Sequence, residues 1–357
     1  MTIVNVHKES EGVVADPDPL SPLRSARKTL AAVEAAEEVG LLDAVADTAV
    51  PADRLAELLD LRPEPLLALL RVLGWHGVLS ERDGAWRLTG VYRDLLTGPP
   101  GSSARPLLRI ERWAAEDHLN AAGVTAALRG RRHPTEIPDA ELPALADAML
   151  TGARASAPYL ARLPELRHRT SLADIAGGSG GYSVTLCRMF PRLSATVYDR
   201  APMLKHAEAV VKEAALTDRV RLEPWDLRTD PLGGPDSGPA EGPAGGPDSA
   251  PGGGRHDAAL LSHVLHLLDR RERVQLLTRA RRILPEGGLL MIHDFLYDAP
   301  PAGSVLAASA VDWLALGAAY HPDTASLTAE LAEAGFTLRR TVPLSALGTA
   351  VAVAHRN

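Results

Sequence analysis

Apolar residues in the first part of the chain recur at helical spacing. Leu30, Val33, Ala36, Val39 and Leu42 form one stripe and predict a helix from Arg24 to Leu42. Pro51 opens a second helix through Leu55 and Leu58, and Pro63 a third through Leu66, Leu67, Leu70 and Val72. From Gly77 to Thr89 the pattern is that of two short strands about the turn pair Asp83-Gly84, a hairpin. Three helices and a hairpin predict a winged helix over residues 23–103, and residues 104–169 read as linking helices. From residue 170 the pattern changes to short apolar runs that alternate with helical stretches. Strands are expected at Leu172–Ile175, Ala195–Asp199, Val220–Asp226, Asp257–Ser262, Leu289–Ile292, Leu338–Val342 and Ala350–Ala354. Helices are expected at Tyr182–Phe190, Arg270–Leu284, 304–320 and Leu327–Ala334. This alternation predicts an α/β fold over 170–357, a doubly wound Rossmann-like sheet with its crevice at the strand carboxyl ends. The polar, Pro-rich residues 1–22 read as a mobile tail. The Gly/Pro-rich stretch 233–254 has nothing to pack a core with and reads as a flexible insertion.

The first strand runs straight into glycines. Asp174 is followed by Ile175-Ala176-Gly177-Gly178-Ser179-Gly180-Gly181, a turn at which a ligand can approach bare backbone. A dinucleotide fingerprint would aim helix-start amides at a pyrophosphate. Here a carboxylate precedes the glycines, where it would repel phosphate but suit the ammonium and sulfonium of S-adenosylmethionine (SAM). The second strand ends in Asp199, about 20 residues on, where a ribose diol is held. The third ends in Asp226, placed to accept from an adenine amino group. Three acids at three strand ends carry the SAM reading further than the glycines alone.

Composition narrows the partners. With 357 residues, 46% of them hydrophobic, there is ample core for two domains. The formal net charge of -7 disfavours nucleic acid, which wants a basic face. The helix expected to read DNA in a winged helix, around Glu64 to Arg71, is Leu-rich and suits a dimer interface better. The single Cys187 excludes a disulfide framework, fits a cytoplasmic setting, and on an apolar helix reads as a packing residue. No apolar run is long enough to span a membrane and no signal peptide is evident. The expected protein is a cytoplasmic homodimer acting on a small molecule.

These motifs together resemble the SAM-dependent small-molecule methyltransferases of the plant-type O-methyltransferase family and their actinobacterial relatives. The likeness rests on residues 174–181, on Leu-Leu-Ser-His-Val-Leu-His at 260–266, on Leu-Pro-Glu-Gly-Gly-Leu-Leu at 284–290 and on Ala-Glu-Ala-Gly-Phe at 332–336. It implies a winged-helix dimerisation domain and a cofactor site at Asp174, Gly177, Gly178, Asp199, Arg200, Asp226, Leu227 and Ser262. It also places the family's general base on His266. Trp113, Met149, Tyr159 and Tyr182 are candidate substrate contacts, each of which also fits ordinary core packing.

One departure matters. The family's Leu-His-Asp-Trp-type motif supplies the acid that orients the base, whereas Leu267 and Leu268 follow His266 here. Asp312 or Glu333 is the expected substitute. The same region holds His263 and His266, three apart, with His321 further on; three imidazoles could bind Zn²⁺ or Fe. His293 with Asp294 is a rival pair, better suited to a structural role. The resemblance extends to a subset that methylates C3 of 2-oxo acids with help from a metal, which would stabilise the enolate as a Lewis acid. The expectation is therefore metal-assisted C-methylation of a 2-oxo acid with His263, His266 and His321 as ligands. The alternatives are O-methylation of a phenolic or polyketide hydroxyl with His266 as base, and a catalytically silent SAM-binding DNA regulator.

Overall fold

The computed structural model describes residues 20–98, 102–131, 133, 137–227, 232, 256–296, 298, 310–316, 323–344 and 348–357. The expected tail up to residue 19, the insertion at 233–254, His321 and part of the helix expected at 304–320 lie outside the described residues. The chain divides into two units between Thr97 and Gly98.

The first unit holds α1 (Ser21–Glu38), α2 (Leu41–Ala44), α3 (Ala52–Leu58), α4 (Pro63–Trp75) and α5 (Gly90–Leu96). The stripe from Leu30 to Leu42 is thus two helices. Gly40, at φ 75°, turns the chain between them, a left-handed conformation that glycine adopts without steric cost. Strands β2 (Leu79–Arg82) and β3 (Ala85–Leu88) form the hairpin, with Asp83 and Gly84 at φ 54° and 76°. Two positive φ angles match the right-handed twist of the strands. A two-residue strand, β1 (Val50–Pro51), adds to β3 and is too short to show a period in sequence. Leu41, Leu42, Leu55, Leu70 and Leu73 fill the unit's core.

The second unit is built on a seven-stranded sheet. In chain order its strands are β4 (Ser171–Ile175), β5 (Ser194–Asp199), β6 (Val220–Pro224), β7 (Ala258–Ser262), β8 (Leu289–Asp294), β9 (Phe336–Leu344) and β10 (Thr349–Arg356). In space the order is β6-β5-β4-β7-β8-β10-β9, with β10 antiparallel to both its neighbours and the other pairs parallel. The order reverses at β4, so the crevice opens at the carboxyl ends of β4 and β7.

Side chains alternate between the two faces. Leu172, Val197, Leu260 and Met291 pack on one side with Val184 and Leu186 of α9 (Gly181–Met189) and with α8 (Leu142–Leu160). Ala173, Ile175, Leu261 and Ile292 pack on the other with Leu276, Leu277 and Ala280 of α11 (Arg270–Arg282) and Leu327 of α12 (Thr324–Glu333). Asp269 and Glu272 form a capping box at the start of α11, and Arg279, Arg281 and Arg282 favour its carboxyl end. A fully buried ion pair joins α11 to α12, Arg273 Nη2 to Glu330 Oε1 at 2.7 Å. Cys187 is buried, which pushes its thiol up to about 11, in keeping with a packing role. His256 is buried between Ser171 Oγ (2.8 Å) and Tyr198 Oη (3.0 Å). The remaining helices of this unit are α6 (Arg105–Asp117), α7 (Ala121–Leu128) and α10 (Ala201–Glu213).

Candidate functional site

Every strand from β4 to β8 delivers a polar residue to the carboxyl edge of the sheet. Asp174 lies near the end of β4, Asp199 ends β5, Asp226 follows β6, Ser262 ends β7 and Asp294 ends β8. The glycine loop after β4 is tight. A Cβ on Gly177 would stand 2.6 Å from Asp174 Cγ, and one on Gly178, at φ 57°, would stand 2.1 Å from Met149 Cε. Asp199 braces the loop: its Oδ2 accepts the Gly178 N–H at 2.7 Å and its Oδ1 the Arg200 N–H at 2.7 Å. A carboxylate has about four lone-pair directions, so both oxygens can still accept from a diol.

Asp174 is fully buried. Its Oδ2 accepts from Ser183 Oγ at 2.7 Å, while its Oδ1 has no hydrogen-bond partner. Burial pushes this carboxyl up to about 6, with Ser183 offsetting part of the effect. An orphaned buried acceptor beside a bare glycine loop is what an ammonium-bearing ligand would satisfy. These residues therefore fit SAM. Asp226 is close enough to Asp199 to act on it electrostatically, and Leu227 packs on the neighbouring core with its carbonyl held by Arg279 Nη1 at 2.5 Å.

The register of β7 against β8 pairs Ser262 with His293, which sets Asp294 beside the chain that leaves β7. There His266, on a short 3₁₀ turn (Leu265–Leu267), meets it: Nδ1 lies 2.7 Å from Asp294 Oδ1. Asp294 also accepts the Leu265 N–H on Oδ2 (3.0 Å) and the Phe295 N–H on Oδ1 (2.9 Å). Burial alone would push the Asp294 carboxyl up; the His266 charge and hydrogen bond outweigh it and, with His263 and Phe295, hold it down at about 2. Asp294 is thus a carboxylate at neutral pH, and in the neutral form of His266 its bond places the proton on Nδ1 and leaves Nε2 to accept. The acid that meets His266 is Asp294, not Asp312 or Glu333. Glu333 pairs with Arg270 at the surface (2.6 Å), while Asp312 is half-buried within electrostatic reach of His266 and His118.

The other expected contacts divide. His263 stands near His266, ring centroids 6.2 Å apart, in a left-handed backbone (φ 56°) that a non-glycine residue adopts at a cost. One ligand atom from each of His263, His266 and Asp294 lies within 4.8 Å of the others, so a metal could join them. Burial pulls His263 down to about 4 and His293 to about 3, leaving both neutral at pH 7. His293 is tied at both nitrogens, to Tyr182 Oη (2.9 Å) and Thr349 Oγ1 (2.8 Å). Tyr182, expected at the substrate, is therefore buried in a structural chain, its hydroxyl pushed up to about 12 by burial. Tyr159 packs on the core of the sheet, under the Arg162 guanidinium. Met149 lies over the glycine loop, and Trp113 edges onto His118 at 5.4 Å.

Trp313 and Phe295 were missed. The Trp313 ring lies over His266 at 4.5 Å, tilted 32°, and Phe295 packs against both. One Trp and one Phe thus wall the His266 imidazole with aromatic rings, Trp313 itself being buried. The adjacency of Trp313 to Asp312 was the only signal in the sequence.

No family model matches the chain. It is 29% identical over 284 residues to 3-hydroxy-5-methyl-1-naphthoate 3-O-methyltransferase of Streptomyces sahachiroi, covering 77% of this chain and 76% of the relative. Among solved structures it superposes on a mitomycin 7-O-methyltransferase with a TM-score of 0.77 at 21% identity, covering 95% of this chain and 97% of the other. It also superposes on a methyltransferase of calicheamicin biosynthesis, solved with S-adenosylhomocysteine bound, with a TM-score of 0.68 at 22% identity, covering 96% and 100%. The chain is a SAM-dependent methyltransferase, similar in sequence and fold to small-molecule O-methyltransferases.

Proposed function

We propose that the protein methylates a hydroxyl group on a flat aromatic small molecule, with His266 as general base and Asp294 as its partner. The observation that carries this reading is the 2.7 Å contact between His266 Nδ1 and Asp294. The chain lacks the family's His-Asp sequence motif, and Asp294 at the end of β8 supplies an acid in its place. SAM, when bound, provides an electrophilic methyl on its sulfonium. Asp174 would hold its ammonium, and Asp199 its ribose. His266 Nε2 takes the proton from the substrate hydroxyl, and Asp294 stabilises the imidazolium that results. Trp313 and Phe295 stack the ring and keep water from it. The naphthoate 3-O-methyltransferase among the relatives supports a fused aromatic substrate.

The test is S-adenosylhomocysteine release with a panel of hydroxynaphthoates and other phenols, with product mass. His266→Ala should lower turnover by about 10²–10⁴-fold while leaving SAM binding intact. Unchanged turnover in that variant would overturn the reading.

A second reading keeps the 2-oxo acid. The closeness of His263, His266 and Asp294 supports a metal there, which would stabilise an enolate. Turnover with 2-oxo acids that a chelator abolishes would favour it; His321, its third expected ligand, lies outside the described residues.

We further propose that the first unit pairs two copies of the chain. In the first unit Trp75 is 81% exposed and Val91 76%, with Leu23 and Leu58 exposed as well, and exposed apolar surface marks interfaces. Trp75→Arg should convert a dimer to a monomer in light scattering. A wild-type monomer would contradict the proposal. Among the described residues no helix is long and apolar enough to cross a membrane.

A further inference from the structure

Away from the glycine loop and the His266–Asp294 pair, three more metal-capable groups converge where α6 ends. Asp117 is its last residue and His118 its carboxyl cap, with the His118 N–H on the Ala114 carbonyl at 2.9 Å. His133 comes back to them after α7. Asp117 Oδ2 lies 3.1 Å from His118 Nδ1 and 3.1 Å from His133 Nε2, and the two imidazoles stand 4.9 Å apart. One ligand atom from each lies within 4.8 Å of the others.

We propose that Asp117, His118 and His133 form a binding site for a divalent transition-metal ion of the Zn²⁺ type. Bonds of about 2.0–2.2 Å from nitrogen and oxygen set neighbouring ligands of a tetrahedral ion roughly 3.3–3.5 Å apart. Both contacts to Asp117 are already near that spacing, and the two imidazole nitrogens, within 4.8 Å of each other, close on the ion as it enters. The donor set, two imidazoles and one carboxylate, suits Zn²⁺ or Fe²⁺ and leaves a fourth position for water or an anionic oxygen of a substrate. On binding, each imidazole keeps one proton and moves it to the nitrogen facing away from the ion. The site is held but reachable. His118 is 5% exposed, with Trp113 against its ring, while Asp117 and His133 are 39% and 29% exposed and open a path from solvent. The ion would clamp the end of α6 to the chain beyond α7. His118 also acts electrostatically on Asp312, as His266 does, so the clamp sits on the side of the unit that carries the catalytic pair.

The test is titration of the chelator-treated full chain with Co²⁺, followed by its visible absorption, and with Zn²⁺ by calorimetry. One equivalent should bind with a dissociation constant of about 1 μM or tighter. Even an outer partner of a metal ligand is worth about 10–100-fold in affinity, so Asp117→Asn and His133→Gln should each weaken binding by at least ~10-fold. Both variants should keep the wild-type thermal shift with SAM, which reports that they fold. His263→Ala should leave this equivalent in place. Three results would overturn the proposal: no Co²⁺ bound at millimolar concentration, affinity unchanged in Asp117→Asn and His133→Gln, or the bound equivalent abolished by His263→Ala alone.

Discussion

Asp294→Asn isolates what the carboxylate does for His266. The side chain keeps its shape, but three donors now meet one acceptor oxygen and one amide. With the amide oxygen at the Oδ1 position, the bonds to His266 Nδ1 and the Phe295 N–H survive. The amide NH₂ then faces the Leu265 N–H, which loses its acceptor. A buried unsatisfied N–H costs about 1–3 kcal/mol of stability. The charge that would stabilise the imidazolium is gone in either orientation. Opposite charges about 4 Å apart are worth about 4 kcal/mol at an effective dielectric of ~20. Solvent near the crevice screens part of this, leaving roughly 2–4 kcal/mol, or a fall of about 30- to 10³-fold in kcat. The assay is methyl transfer to a hydroxynaphthoate, run beside SAM binding by calorimetry. The expected result is a kcat loss of that size with the SAM dissociation constant within about twofold of wild type, which is within ~0.4 kcal/mol. Wild-type kcat in a variant that binds SAM normally would refute the role given to Asp294.

Three further outcomes follow from the same contacts. Asp174 has a folded pKa of about 6, above its unfolded value of 3.8, so its charged form costs stability, and the cost is present above pH 6 and fades as the pH falls. The SAM-free wild type should therefore gain melting temperature relative to Asp174→Asn between pH 7.5 and 5, and only the wild type should respond to SAM; a pH-independent difference would count against the buried carboxylate. Gly178→Ala puts a methyl group against Met149 at a positive φ, which costs a non-glycine residue about 1–2 kcal/mol, and SAM affinity should fall by at least ~10-fold in calorimetry. Arg273→Ala leaves Glu330 charged and buried, so unfolding in urea should show a loss of about 3–5 kcal/mol, and the Arg273→Ala/Glu330→Ala double variant should lose less than the sum of the singles.

The parts of the fold that sequence reveals are those with a local cause. The hairpin is visible because Asp83 and Gly84 carry the two positive φ angles its turn demands. The cofactor loop is visible because the glycines follow a strand directly and the next two strands in the chain end at or beside an acid, Asp199 and Asp226. The helix break at Gly40 is hidden, since the apolar spacing of Val39 and Leu42 runs through it. Asp294 as the partner of His266 is hidden for a different reason. The two are 28 residues apart, and only the pairing of β7 with β8 brings them together. Trp313 and His118 reach the same region from other parts of the chain, and nothing periodic marks them. For Tyr182, an aromatic beside the cofactor loop, the contact that the sequence does not reveal is the one its hydroxyl makes with His293.

The measurement that bears most directly on the central claim is S-adenosylhomocysteine release by wild type and His266→Ala, with hydroxynaphthoates and with aliphatic and aromatic 2-oxo acids, each with and without a chelator. The account predicts turnover of a phenolic substrate that yields an O-methyl product, survives the chelator and falls about 10²–10⁴-fold in His266→Ala. Turnover confined to 2-oxo acids and abolished by the chelator would contradict it.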